Sequence, residues 1–175
     1  MECFSQLHKD IIGFKDTFCS DHSLPDILQN RGVEWKSVKD IDENAKFLSL
    51  DTVPYNRRFE VKQGEYGGGY FLAAVAGLTG YPDMFKAMFS FTNKFIGHPD
   101  PDNIHYKFNR MLEYWDLCVF EFYRDGVEEY VLVDYRLPIL EGKLVFAQAV
   151  DGNYWCPLAE KAYAKLVIMG KWDLF

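Results

Sequence analysis

A glycine-rich stretch, Gly64 to Gly69, runs directly into Tyr70-Phe71-Leu72-Ala73-Ala74-Val75-Ala76, and this junction constrains the chain more than any other feature. The latter segment carries no charge, so a helix built from it is apolar on every face and belongs in the middle of a core. A chain of 175 residues with 49% hydrophobic content can bury one such core, as a single domain or as a small domain in two halves. Aromatic residues reach 17%, with 15 Phe and 11 Tyr, so much of the packing area is expected from rings.

Upstream, Phe4, Leu7, Ile11, Phe14 and Phe18 recur at spacings of three and four, which predicts an amphipathic helix over 1–20. Its stripe either docks on its own domain, taken as 21–175, or binds another protein. From Asp21 to Thr52 the chain is polar, broken by Pro25 and Gly32, and reads as extended loops anchored at Val33-Glu34-Trp35. After the central helix, Asp83, Met84, Phe85, Met88 and Phe89 predict a second helix ending near Asn93, before the loop holding Pro99 and Pro101.

The period then changes from helical to alternating. Val119 to Tyr123 and Tyr130 to Val133, on either side of Asp125-Gly126, predict a hairpin, and Leu144 to Ala147 predict a third strand after the Glu141-Gly142 turn. A last helix is predicted with Pro157 as its first residue, Leu158, Ala162, Tyr163 and Leu166 on one face, and Gly170 as its stop. The fold class is therefore α+β, with helices and a small antiparallel sheet around the central helix.

Charge and composition exclude several functions. A net charge of −7, with no Lys/Arg cluster longer than a pair, repels phosphates, so nucleic acid is not an expected partner. No apolar run approaches the roughly 20 residues of a membrane span, and the start does not resemble a signal peptide. Glu2 excludes N-myristoylation at this start, although Cys3 is chemically open to palmitoylation. The four cysteines, Cys3, Cys19, Cys118 and Cys156, match no zinc spacing and read as reduced thiols of a cytosolic protein. Cys19 and His22 form a lone C-x-x-H, too little for zinc.

Several strings, in order, resemble the calpain family of cysteine proteases. Val33-Glu34-Trp35-Lys36 is similar to its V-E-W-K. The stretch from Gln63 to Ala74 is similar to its catalytic loop and helix, Q-G-x-x-G-D-C-W-[FL]-L-A-A. Asp134-Tyr135-Arg136-Leu137-Pro138 is similar to D-D-R-L-P, and Trp155 to Leu166 resembles F-W-x-x-L-L-E-K-A-Y-A-K. The resemblance implies a papain-like core in two subdomains, of which this chain covers the first. The second, carrying the catalytic histidine and asparagine, would belong to another chain or to a longer protein.

At the family's nucleophile position stands Gly69, flanked by Gly68 for the aspartate and Tyr70 for the tryptophan. A cysteine at a helix N-terminus gains thiolate character from the helix dipole and free amides; a glycine has nothing to attack a carbonyl with. The resemblance therefore implies no catalytic residue. Gln63 matches the glutamine that helps form the oxyanion hole; it either keeps that donor in place or ties the loop down. Cys118, on a predicted strand, and Cys156, between Trp155 and Pro157, read as buried hydrophobes. His8, His98 and His105 read as surface histidines.

The family binds calcium in this subdomain, and two of the matching positions are Glu60 and Asn153. With one charge lost, and with Tyr55 in place of the usual glycine, the resemblance implies weak or absent calcium binding and no other cofactor. Asp100-Pro101-Asp102-Asn103 fails as an EF-hand, because the sixth and twelfth positions are His105 and Met111. Arg58 matches an arginine that pairs with the second subdomain and so marks a partner-facing surface. Lys161 and Lys165, at i and i+4, read as a mildly self-repelling charged face.

Taken together, the expectation is an inactive calpain-like domain acting as a binding or scaffold module. Its place of work is the cytoplasm, including the cytoskeleton, and its partner is a cytoskeletal protein or a second calpain-type subdomain. The alternative is half of a calcium-dependent endopeptidase completed by that second subdomain.

Overall fold

The computed structural model describes residues 28, 30–47, 54–89 and 117–168. The amphipathic helix over 1–20, His8, Cys19, His22, Asn93, the 99–105 loop and Gly170 lie outside them. The chain divides into two units, Met1–Val33 and Glu34–Phe175. In the first, the Arg31 amide donates to the Leu28 carbonyl at 3.2 Å.

The second unit mixes helices with two small antiparallel sheets, as the α+β expectation required. Strand β1 (Glu34–Ser37) leads into a one-turn helix α1 (Val38–Ile41), where the sequence had suggested only extended loop. A 3-10 helix (Pro54–Glu60) precedes the glycine loop, then α2 (Gly69–Leu78) and α3 (Pro82–Ala87) follow. The hairpin is β2 (Leu117–Arg124) and β3 (Val127–Asp134), joined at Asp125-Gly126 and paired from Leu117↔Asp134 to Arg124↔Val127.

The second sheet differs from expectation. Strands β4 (Arg136–Leu140) and β5 (Lys143–Leu144) turn at Glu141-Gly142, and the order is β1-β4-β5, separate from the hairpin. The predicted strand Leu144 to Ala147 therefore stops at Leu144. The reason lies in its donors: the Ala147 N–H goes to the Glu160 carboxylate at 2.6 Å rather than to a neighbouring strand. Trp35, read as a loop anchor, sits in β1 opposite Pro138.

The last helix, α4, runs Trp155–Ile168, so Pro157 is its third residue and not its first. That position is tolerated because the first four N–H groups of a helix have no intrahelical acceptor. The Leu158 amide makes the first turn's bond, to the Tyr154 carbonyl at 3.2 Å.

Rings build the core. Trp155, Phe89 and Phe120 are fully buried. Phe85 meets both Trp155 and Phe89 edge-on at 5.0 Å, Phe89 meets Phe120 at 5.6 Å, and Phe47 closes on Phe89 at 5.7 Å. Such edge-to-face pairs add to the area term. Of the stripe predicted for α3, Phe85, Met88 and Phe89 are buried, whereas Met84 is 60% exposed.

Helix α2 enters this core through Phe71, Leu72 and Val75, and Phe71 stacks on Tyr163 of α4 at 4.5 Å. Its composition had suggested cover on all sides. Instead Tyr70, Ala73, Ala74 and Gly77, at i, i+3, i+4 and i+7, form one exposed apolar stripe.

Candidate functional site

The site is the head of α2. Gly69 is the first residue of the helix, and Gly68 caps it with φ 59 and ψ 0, a left-handed conformation that glycine adopts at no steric cost. The loop before it lies against the chain after β5. A Cβ at Gly64 would sit 1.7 Å from the Phe146 carbonyl oxygen, so only glycine allows that approach.

Gln63 stands beside Gly69. Its side-chain Nε2 donates to the Gly67 carbonyl at 3.0 Å, across the loop. A Cβ at position 69 would meet the Gln63 amide at 3.3–3.7 Å. The predicted pair of loop glutamine and helix head is thus brought together, with the amide turned toward the loop's own backbone.

Against the same loop lies the glutamate of the last family string, to which the sequence assigned no role. Glu160 of α4 is 7% exposed, and its Oε1 lies 1.6 Å from where a Cβ on Gly68 would be. Its Oε2 accepts the Ala147 N–H. Burial pushes its carboxyl above the usual range, opposed by that backbone hydrogen bond.

The residue after Glu160 is fastened to the sheets. Lys161 donates to the carbonyls of Asp134 (3.0 Å) and Arg136 (2.7 Å) and to the Asp134 carboxylate, with its ammonium 5.3 Å from the centre of the Trp35 ring. Lys165 donates to the Leu132 carbonyl at 2.7 Å. These two lysines were expected to form a solvated, self-repelling face. They instead pin α4 to the end of β3 and the start of β4. Burial alone would raise the Asp134 carboxyl, but Lys161 and Arg136 more than offset it and hold it below the usual range. The signal that could have found this node was present in the strings themselves: Trp35, Asp134, Arg136 and Lys161 come from three separate ones.

The calcium candidates are both set deep. Glu60 accepts the Trp155 indole N–H at 2.6 Å, and Arg57, itself buried, approaches the same oxygen at 3.5 Å. Asn153 is 4% exposed, and its backbone bridges to Lys46 and Val150. Among the described residues no group of three His, Cys, Asp or Glu side chains is placed to hold a metal ion. Arg58 is exposed and lies over the Phe59 ring, 4.8 Å from its centre.

Neither described cysteine lies on the α2 head. Cys118 and Cys156 are each 1% exposed. Burial pushes the Cys156 thiol up to about 12 and raises the Cys118 thiol as well. Low-dielectric surroundings penalise the thiolate, and with it the nucleophile.

A sequence profile of calpain family cysteine proteases matches residues 14–171. The chain belongs to the calpain family. It is 35% identical over 147 residues to a calpain of Schistosoma mansoni, covering 82% of this chain and 17% of that protein. To calpain-12 of Homo sapiens it is 34% identical over 152 residues, 86% of this chain and 18% of that one. To the calpain-2 catalytic subunit of Bos taurus it is 30% identical over 139 residues, 79% of this chain and 17% of the other. The chain therefore spans only 17 to 18% of the length of these calpains. Among the described residues, no helix is long and apolar enough to cross a membrane.

Proposed function

We propose that this chain is a catalytically inactive calpain-like domain that works in the cytoplasm by binding protein, as a scaffold or regulatory module. One observation carries the reading: the residue at the head of α2, which we match to the family nucleophile, is Gly69. A side chain of one hydrogen atom forms no acyl-enzyme. Two further observations support it. The described thiols are buried away from that position, and Gln63, matched to the oxyanion-hole glutamine, has its amide donating to Gly67.

Binding is supported by the uncovered side of the same helix. Tyr70 is 64% exposed above Ala73, Ala74 and Gly77, and Phe59, Tyr81 and Met84 are exposed on neighbouring segments. Apolar residues left in the open at this density mark a surface that meets another protein. Arg58, over Phe59, belongs to this partner-facing set, while Glu60 and Asn153 stay calcium candidates for which weak or absent binding is expected. Purified protein incubated with casein and millimolar calcium is expected to release no more peptide than a blank. Thiol-dependent turnover would overturn the proposal.

The alternative keeps the same surface but gives it a different occupant: a calpain-type second subdomain supplying histidine and asparagine. The open α2 stripe favours it equally. Co-purification with a chain of that type, and calcium-dependent cleavage by the pair, would select it.

A further inference from the structure

The two glycines at the head of α2 differ physically. At position 69 the backbone lies outside the left-handed region, and an added Cβ meets only the far end of the flexible Gln63 side chain, no closer than 3.3 Å. At position 68 the backbone has φ 59, and an added Cβ would fall 1.6 Å from Glu160 Oε1 and 2.8 Å from its Cδ. Position 69 has room for a side chain. Position 68 is already filled, from another helix.

We propose that the Glu160 carboxylate is a built-in plug at the α2 N-terminus, locking the glycine loop to α4 in a conformation that admits no side chain at position 68. The plug is held from three directions. Oε2 accepts the Ala147 N–H at 2.6 Å. Ala159 and Ala162, both fully buried, fix the helix on either side of it. Lys161, the next residue, is fastened to the Asp134 and Arg136 carbonyls, which resists rotation of α4. Moving Glu160 aside would strand the buried Ala147 N–H and a buried carboxylate together, which is costly.

The test is a double-mutant cycle on the full chain, read by urea denaturation. Gly68→Asn is the probe, because asparagine accepts left-handed backbone better than most residues and so reports the clash rather than the φ. In the wild-type background Gly68→Asn is expected to lower the folding equilibrium constant at least tenfold more than it does in a Glu160→Ala background. Gly69→Ala, as control, should change it less than threefold. If Gly68→Asn alone does not fold, recovery of a cooperative transition in the double variant supports the plug. Failure of the double variant while Glu160→Ala folds overturns it. Should Glu160→Ala itself not fold, Glu160→Asp, one methylene shorter, takes its place with the same two outcomes. Additive effects of the two substitutions, or a Gly69→Ala loss equal to that of Gly68→Asn, also overturn the proposal.

Discussion

The Trp155 indole N–H donates to the Glu60 carboxylate at 2.6 Å, joining residues 95 positions apart in the chain. The bond closes the first turn of α4 onto the 3-10 helix that leads into the glycine loop, and Arg57 shares the same oxygen. Trp155→Phe keeps most of the ring area but removes the donor, leaving a largely buried carboxylate oxygen short of a partner. The loss expected in urea denaturation is about 1–3 kcal/mol. A change below a few tenths of that would mean the hydrogen bond contributes nothing in solution.

Acid sensitivity should trace to Asp134. Its folded carboxyl is held below the usual range, so its contribution is present above the unfolded value and is lost as pH falls through the folded one. Stability of the wild type should therefore fall more steeply than that of Asp134→Asn as pH drops below about 4. Parallel acid limbs for the two proteins would refute the assignment.

Glu160 should act with the opposite sign. Burial raises its folded pKa above the unfolded value, so its contribution is fully present below that value and is lost as pH rises through the folded one. Glu160→Gln, which cannot ionise, should flatten that descending limb while leaving the Asp134 limb in place. A descending limb that survives unchanged in Glu160→Gln would assign it to another group.

The described thiols should resist labelling. With Cys118 and Cys156 each 1% exposed, iodoacetamide at neutral pH should leave both unmodified in native protein and alkylate both in urea, read by peptide mass. Rapid native labelling of either would mean an activated thiol.

Gly69→Cys should give a folded protein whose new thiol is alkylated near pH 6, well below the ordinary cysteine range of about 8.5, because it heads a helix. Peptide hydrolysis by these 175 residues alone should still be absent, since the family's histidine and asparagine belong to a second subdomain that they do not cover. Labelling no faster than that of free cysteine would mean the α2 head does not activate a nucleophile.

Much of this was legible in the chain. The hairpin at Asp125-Gly126 and the helices at 69–78 and 155–168 follow from local rules, because period and turn residues act over a few positions. The strand expected over 144–147 was lost to a side chain 13 positions away, and no local pattern encodes an acceptor arriving from another element. Lys161 and Lys165 looked like solvent residues because their i,i+4 spacing carries no record of the strand carbonyls beneath them.

By itself the sequence determined that a helix headed by Gly69, without a side chain at that position, follows a glycine loop, since residue identity and near-neighbour pattern suffice for both. Only the tertiary structure decided that Glu160 fills the space beside Gly68, that Glu60 is taken up by Trp155, and that one side of α2 stays open. Each of those is a meeting of groups distant in the chain. Such meetings depend on how whole elements dock, and docking is set by the sum of packing rather than by any short run of residues.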